Sequence, residues 1–538
     1  MTLINTWKKM DNNLKEKLLN RVSELYLEGQ NITQSCITAC RESEVEYNDS
    51  LRRSFSNRLK SIGLSEIKAP IEASGEFEMA KNKEFDRSKN RFIISWAQSE
   101  TDVFKPFLKN IEAYAEYIDA EILIVAGRYK NPVSLIGSQS LSSEEKDNKE
   151  MYWDKSITKY LDANRHNVHK HLVIASDVKI QPTASTPLSG LNSLTGLESC
   201  IFGHPRVHFD SLPVLDGYPS KVLLTTGSIT KPNYTDTKSG KKGEFHHSYG
   251  FIVVELDGEY FHVRQVTASE DGSFYDLDVL VDNGIIVEDQ VAETIVFGDL
   301  HIGDHCEESV KLSLDIARKL KVNNVIAHDL FNGKSISPHD SKSPFELLRK
   351  EESGLDNLVE EISEVVDFLE ENSDLDFIVV RSNHDLWLDR WLNDTDWRKC
   401  NNKMTYLKLA SAMADDKEGK GALNVILKMN GVKNAYCLDL DESFSVCGFE
   451  LAIHGHQGAG GSRGSIVQYK NLNTKNITGH SHVPRRIDGA LSVGTLTKLR
   501  LGYNKGLSSW LNSNVIIHPN GKAQHINIIN NKVTTLWK

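Results

Sequence analysis

The chain has 538 residues, of which 39% are hydrophobic and 25% charged, and 63 basic against 74 acidic side chains give a formal charge of −11. That length allows two to four domains and a sizeable core, with the composition of an ordinary soluble protein. No apolar run is long enough to span a bilayer, so no membrane partner is expected, and the acidic balance counts against polyanion binding except through a local basic patch or bound cations.

The first residues, Met1 to Lys9, run quickly into charged sequence, so no signal peptide is expected. Seven scattered cysteines without a CxxC pair point to reduced thiols and a cytoplasmic location. Residues 1–63 read as helical. Leu14, Leu18, Val22 and Leu25 recur at helical spacing, Ile32 to Cys40 continues after a break, and Ser50 to Ile62 places Leu51, Phe55, Leu59 and Ile62 on one face. The third helix carries Arg52, Arg53, Arg58 and Lys60, which gives the outline of a DNA-binding helix-turn-helix or of a docking or oligomerisation segment with a solvated basic face. Residues 64–90 are polar and aperiodic, a linker or extended arm.

Residues 91–290 read as an α/β accessory domain. Phe92-Ile93-Ile94 and Ile122 to Val125 are strands flanking a helix from Val103 to Tyr117, which implies a parallel pair. Further strands are expected at Lys221–Thr226, Tyr249–Leu256 and Tyr260–Ala268, and Thr235 to Glu244 as a basic loop without phosphate-loop spacing. His204, His208, His246 and His247 read as loop or core histidines, since no carboxylate is spaced with them.

From Val291 onward five short polar segments follow apolar runs. Thr294 to Phe297 leads to Asp299 and His301, which as i and i+2 can face one side of an extended chain. Val325 to Ala327 leads to Asp329, and Phe377 to Val380 to Asn383-His384-Asp385, in which Asp385 can orient the His384 ring. Phe449 to Ile453 reads as a strand delivering His454, with His456 the alternative ligand from that loop, and Gly479-His480-Ser481-His482 projects two imidazoles to one side. Carboxylate, amide and imidazole donors at successive strand ends are what a two-metal phosphoesterase site requires. His328, Arg463, Arg485 and Arg486 lie near these motifs, the arginines as phosphate clamps or as ordinary surface residues.

In order and type these motifs resemble the calcineurin-like metallophosphoesterases over roughly residues 291–538, and Asp299-Leu300-His301-Ile302-Gly303 resembles the SbcD-like nuclease branch. The resemblance implies an α/β fold class with a C-terminal metallophosphoesterase β-sandwich flanked by helices, beside the middle α/β domain and the small helical N-terminal domain. It implies one metal on Asp299, His301, Asp329 and His482, a second on Asp329, Asn383, His454 and His480, and catalytic His384 at the substrate phosphate or leaving group with Asp385 behind it. His328 and Ser382 replace glycines usual in the family, and Asn332 stands where a second acid is common. The donor set suits Mn²⁺ better than Mg²⁺, with Zn²⁺ or Fe²⁺ as alternatives.

The flanking regions resemble those of phage-encoded metallophosphoesterases, which implies a nuclease that degrades host DNA by attack of a metal-bridged hydroxide on the phosphodiester. A phosphatase or small-molecule phosphodiesterase would use the same site, and a non-catalytic phage DNA-binding or scaffolding protein is the reading from another class. A homo-oligomer is expected because so much chain lies outside the catalytic part.

Overall fold

The computed structural model describes residues 10–27, 32–45, 51, 54–55, 77–79, 86, 88–129, 152–340, 343–472, 474–502 and 504–537. It is a mixed α/β protein with several sheets, and no helix among the described residues is long and apolar enough to cross a membrane. At the N-terminus Asn12–Leu27 and Ile32–Glu42 are helical. Their apolar faces close on each other through Leu18, Val22, Leu25, Cys36 and Cys40, with Leu51 and Phe55 in the same cluster. Arg52, Arg53, Arg58 and Lys60, on which the helix-turn-helix expectation depends, lie outside the described residues. Within the segment read as a linker, Phe77–Met79 is a strand paired antiparallel with Tyr152–Asp154.

The strand-helix-strand unit forms. Arg91–Gln98 and Glu121–Gly127 pair in parallel, joined by helix Lys105–Tyr117, whose start is set by a proline in its first turn. Gly250–Asp257 and Tyr260–Thr267 extend this sheet on one side and Leu161–Asp162 on the other, making five strands. Side chains alternate across it. Ile93, Ile124, Phe251 and Val253 pack against the helix, while Phe92, Ile94, Leu123 and Val125 pack against Ile174, Ile201, Phe209 and Leu224 of a second, ten-stranded sheet. Thr235–Glu244 is not a loop throughout. The Thr237 hydroxyl accepts from the Gly240 amide and starts a helix, Lys238–Phe245.

The ten-stranded sheet runs in the order Ser445–Val446, Phe449–Glu450, Lys475–Thr478, Ala490–Ser492, Arg485–Ile487, His208–Leu212, Lys221–Thr225, Ser199–Phe202, Leu172–Ala175, Arg165–His169. Strands from both sides of residue 290 meet in it, at the antiparallel pairing of Arg485, Arg486 and Ile487 with Asp210, Phe209 and His208. Its other half faces a six-stranded sheet ordered Ala435–Cys437, Phe377–Val380, Asn324–His328, Thr294–Val296, Ser513–Ile517, Ala523–Asn527. Val296, Ile326, Val380 and Val515 fill the space between these sheets with Leu451, Ile477, Leu491 and Val493. Ile295, Val325, Ala327 and Val379 point the other way, onto helices Glu307–Lys319 and Leu358–Glu371.

A buried charge network ties the end of the chain to the five-stranded sheet. Arg264 is bonded to Glu255 and, through Nε and Nη2, to both oxygens of Asp276 at 2.9 Å. Asp276 also accepts from Tyr114 at 2.6 Å and Gln524 at 2.8 Å, and Glu255 from Thr534 at 2.7 Å and Thr535. Burial alone would raise the Glu255 carboxyl, but Arg264 and the two threonines outweigh it and hold it at about 2. Because the folded value is depressed, this stabilisation is present above the unfolded glutamate value of about 4.3 and is lost as pH falls toward 2. Chemical denaturation across that interval should show stability declining as the pH is lowered. Arg264→Ala, which strands two buried carboxylates, should cost roughly 3–5 kcal/mol at neutral pH in the same measurement.

Candidate metal centre

Thr294–Val296, Asn324–His328 and Phe377–Val380 are neighbouring parallel strands, with Ile295 opposite Val325 and Val325 opposite Phe377. Parallel register brings their C-terminal ends to one edge, and there stand Asp299, Asp329 and Asn383. The facing sheet adds His480 and His482 just beyond Lys475–Thr478. The strand expected at Phe449–Ile453 forms only at Phe449–Glu450, where the Glu450 carboxylate accepts the Ala452 amide at 2.9 Å, and contact with the neighbouring strand resumes at His454, whose carbonyl accepts the Gly479 amide at 2.7 Å.

The predicted residues converge into two groups that share Asp329. Asp299, His301, Asp329 and His482, all buried, present ligand atoms within 4.8 Å of one another, and so do Asp329, His454 and His480. His301 Nε2 is 3.4 Å and His454 Nε2 3.3 Å from Asp329 Oδ2, while His482 Nε2 is 3.1 Å from Asp299 Oδ2 and 3.0 Å from His301 Nε2. Asn383 Oδ1 lies 3.1 Å from His454 Nε2, on the side of the second group. His456 belongs to neither group; its ring lies 5.4 Å from that of His454, and neither ring nitrogen has a hydrogen-bond partner.

The residues fit a divalent cation. Both oxygens of Asp299, Oδ1 of Asp329 and Nδ1 of His301 and His482 are buried without a hydrogen-bond partner, an arrangement that costs free energy unless something else satisfies them. Burial holds the His301 imidazole well below its ordinary value and pushes His480 down to about 4, so both rings stay in the neutral form that ligates metal. For Asp329, burial acts to raise the carboxyl, but His454, His384 and His301 outweigh it and hold it well below the usual range. His301, Asp329, His480 and His482 all have φ between 46° and 69°. Left-handed backbone at non-glycine residues costs of order 1–3 kcal/mol each and gathers at functional sites.

Gly479 makes the approach of the sheets feasible, since a Cβ there would lie 2.3 Å from Asp299 Oδ1 and 2.8 Å from His328 Cγ. His328 itself is fully buried, with Nδ1 3.4 Å from His454 Nδ1, so the side chain that replaces a glycine packs behind a predicted ligand.

Ser382 replaces the other glycine for a legible reason. It caps helix Asn383–Asp394 in a capping box with Asp385, whose Oδ2 accepts the Ser382 amide at 2.9 Å. Asp385 is therefore engaged with the helix start and does not orient His384. Nδ1 of His384 is bonded instead to the backbone carbonyl of Asn332, whose own amide group donates to Asp304 at 3.0 Å. Since a carbonyl only accepts, Nδ1 carries the proton and Nε2 is the atom available for a ligand. Sequence reasoning missed Asn332 in this role because a main-chain contact leaves no side-chain signature. It also missed Trp387 and Trp510, whose rings lie 3.9 Å from His384 and 4.2 Å from His482.

A divalent ion at a hundred times its Kd should stabilise the fold by about 2.7 kcal/mol per site. A rise in thermal midpoint on adding Mn²⁺, reversed by chelator, is the expected result, and Asp329→Ala should remove it. Gly479→Ala should remove it as well, by displacing Asp299, while retaining native far-UV circular dichroism.

No family model matches the chain. Among solved structures, Vps29 of Chaetomium thermophilum, alone and with a cyclic peptide, aligns over 33% and 35% of this chain and 92% and 94% of its own at 13% and 12% identity. The TM-score of 0.19 in both cases is too low to establish a shared fold. Protein A1 of Escherichia phage T5 is 32% identical over 471 residues, 82% of each chain. A match of that identity across most of both sequences places this chain in the family of phage T5 protein A1.

Proposed function

We propose that the chain is a two-metal DNA nuclease of the calcineurin-like, SbcD-like type, phage-encoded and acting on DNA phosphodiesters. The observation that carries this reading is the pair of Asp/His groups joined at Asp329, buried except for the half-buried His480. Asp299, His301, Asp329 and His482 would hold one ion and Asp329, Asn383, His454 and His480 the other, with Mn²⁺ favoured by the mixed nitrogen and oxygen donors. When bound, such ions supply Lewis-acid neutralisation of phosphate oxygens and lower the pKa of water.

The remaining chemistry belongs to the chain. His384, its ring 4.5 Å from that of His301, is fixed by the Asn332 carbonyl with Nε2 free to hydrogen-bond a phosphate oxygen or to deliver a proton to the leaving oxygen. Trp387 packed on its other side restricts the ring to that orientation. Asp385 and Ser382 hold the helix start, and so Asn383 and His384, in place.

The test is cleavage of linear and covalently closed circular DNA with Mn²⁺. Wild type should degrade DNA, and attack on the closed circle would make it an endonuclease. His384→Ala should lower turnover by about 10²–10⁴-fold while Mn²⁺ still raises the thermal midpoint. Failure to cut either DNA, with a small chromogenic phosphodiester still hydrolysed, would replace the nuclease by a phosphatase or phosphodiesterase.

A further inference from the structure

A cleft of about 810 Å³ opens between the helix Lys238–Phe245, the turn before Ala523–Asn527 and the strands Lys475–Thr478 and Arg485–Ile487. Lys475 and Thr478 begin and end the strand that leads to His480, so the cleft lies roughly 16 Å along the strand from the metal centre at about 3.3 Å per residue. In a chain with a net charge of −11 the cleft is lined by Lys470, Lys475, Arg486 and Lys522.

Of these only Lys470 is ion-paired with an acid of the cleft. Asp488 is shared among Arg206 at 3.2 Å, Lys470 at 3.3 Å, His208 at 3.2 Å and His246 at 3.4 Å. Glu244 is engaged by Lys241 at 2.9 Å, which leaves Glu270 as the remaining carboxylate on the lining.

Arg486 is 9% exposed, and the groups that meet it are carbonyls, those of Asp488 and Ala523, each at 3.3 Å. Lys475 donates to the Gly521 carbonyl at 3.2 Å, so two cations clasp the backbone on either side of Lys522. Among the described residues none of these three forms an ion pair with a carboxylate. Burial pushes Arg486 down to about 10 and lowers Lys475 and Lys522, with their mutual repulsion adding to the effect on the lysines. Asp488 offsets Arg486 and Glu270 offsets Lys522 only from beyond ion-pair distance, so gathering these cations is costly, and the cost is recovered when an anion is supplied from outside. At the rim stands Phe245, 84% exposed, its ring edge-on to His246 at 5.0 Å. Cationic groove and exposed aromatic platform together are the arrangement that holds phosphates and a stacked base of a single nucleic-acid strand.

We propose that this cleft is an exosite for a DNA strand, with Lys475, Arg486 and Lys522 on backbone phosphates and Phe245 stacking a base. The proposal rests on the nuclease reading for its choice of DNA, and its test separates the two. Binding of a labelled single-stranded oligodeoxynucleotide is measured by fluorescence anisotropy in chelator, where no metal-dependent step contributes.

Lys475→Gln/Lys522→Gln should weaken binding at least tenfold and reduce the slope of log K against log salt by about 1.4, at ~0.7 per cation removed. Phe245→Ala should weaken it by about tenfold with the salt slope unchanged. Thermal midpoints equal to wild type establish that these variants are folded, and Arg486→Gln is scored only if it passes that check. Equal binding and equal salt slopes in wild type and variants, or no binding by wild type, overturns the exosite even if wild type cleaves DNA. Loss of binding in the variants sustains it even if no metal supports cleavage. If dAMP binds wild type as tightly as the oligonucleotide, the assignment to a strand is overturned.

Discussion

A carboxylate moved from water into a protein interior must be met by opposite charge or hydrogen bonds, and Asp329, at 1% exposure, is met on Oδ2 by His301 and His454 while Oδ1 has no hydrogen-bond partner. The surrounding architecture follows from holding it there. Parallel strands bring the Asp329 and Asp299 loops to one edge, the latter carrying His301, and the facing sheet supplies His480; burial keeps these two imidazoles neutral, so they add lone pairs rather than charge. The φ angles of 46° to 69° at four of these residues show that the backbone bends to the needs of the cluster, since such conformations persist only where the surroundings over-determine them. A cation held by this cluster would resolve both problems, the unmet oxygens and the crowded nitrogens.

The parts outside this centre are joined to it rather than appended. The antiparallel pairing of Arg485–Ile487 with His208–Leu212 makes one sheet from two distant stretches of sequence, and the ion pair of Arg485 with Asp210 at 2.6 Å reinforces that seam. The Arg264 network fastens Thr534 and Thr535 to the five-stranded sheet. The loop bearing His480 and His482 is thus held from one side by the apolar core between the sheets and from the other by strands whose own core faces away from the metal centre.

Much of the candidate site was legible in sequence because its donors follow apolar strands directly, as at Ile295-Val296 before Asp299 and Ile326-Ala327 before Asp329, and a strand end fixes where the next side chain goes. What escaped depends on contacts without a local pattern. The partner of His384 is a main-chain carbonyl 52 residues away, and the carboxylate serving His208 is Asp488, 280 residues on. Ser382 read as a departure from glycine because the motif hid its capping role, and Lys238–Phe245 read as a loop because its Gly and Lys residues carry no apolar periodicity although Thr237 supplies a cap. Fold expectations were firmest where an apolar run was continuous, as at Phe92-Ile93-Ile94 in the buried strand Arg91–Gln98, and the strand leading toward His454 came out short where the Glu450 carboxylate takes the Ala452 amide.

The ten-stranded sheet has a consequence for synthesis. His208–Leu212 has its partner Lys221–Thr225 made almost at once, but the partner of its other edge, Arg485–Ile487, is made 275 residues later at the Asp210 pairing. At about 5–20 residues per second that edge stays open for roughly 14–55 seconds, long enough for an unpaired strand to find a wrong partner. Asp210, at the centre of the waiting strand, carries the charge that discourages edge-to-edge association. The same carboxylate that later binds Arg485 thus guards the nascent chain until its proper neighbour is made.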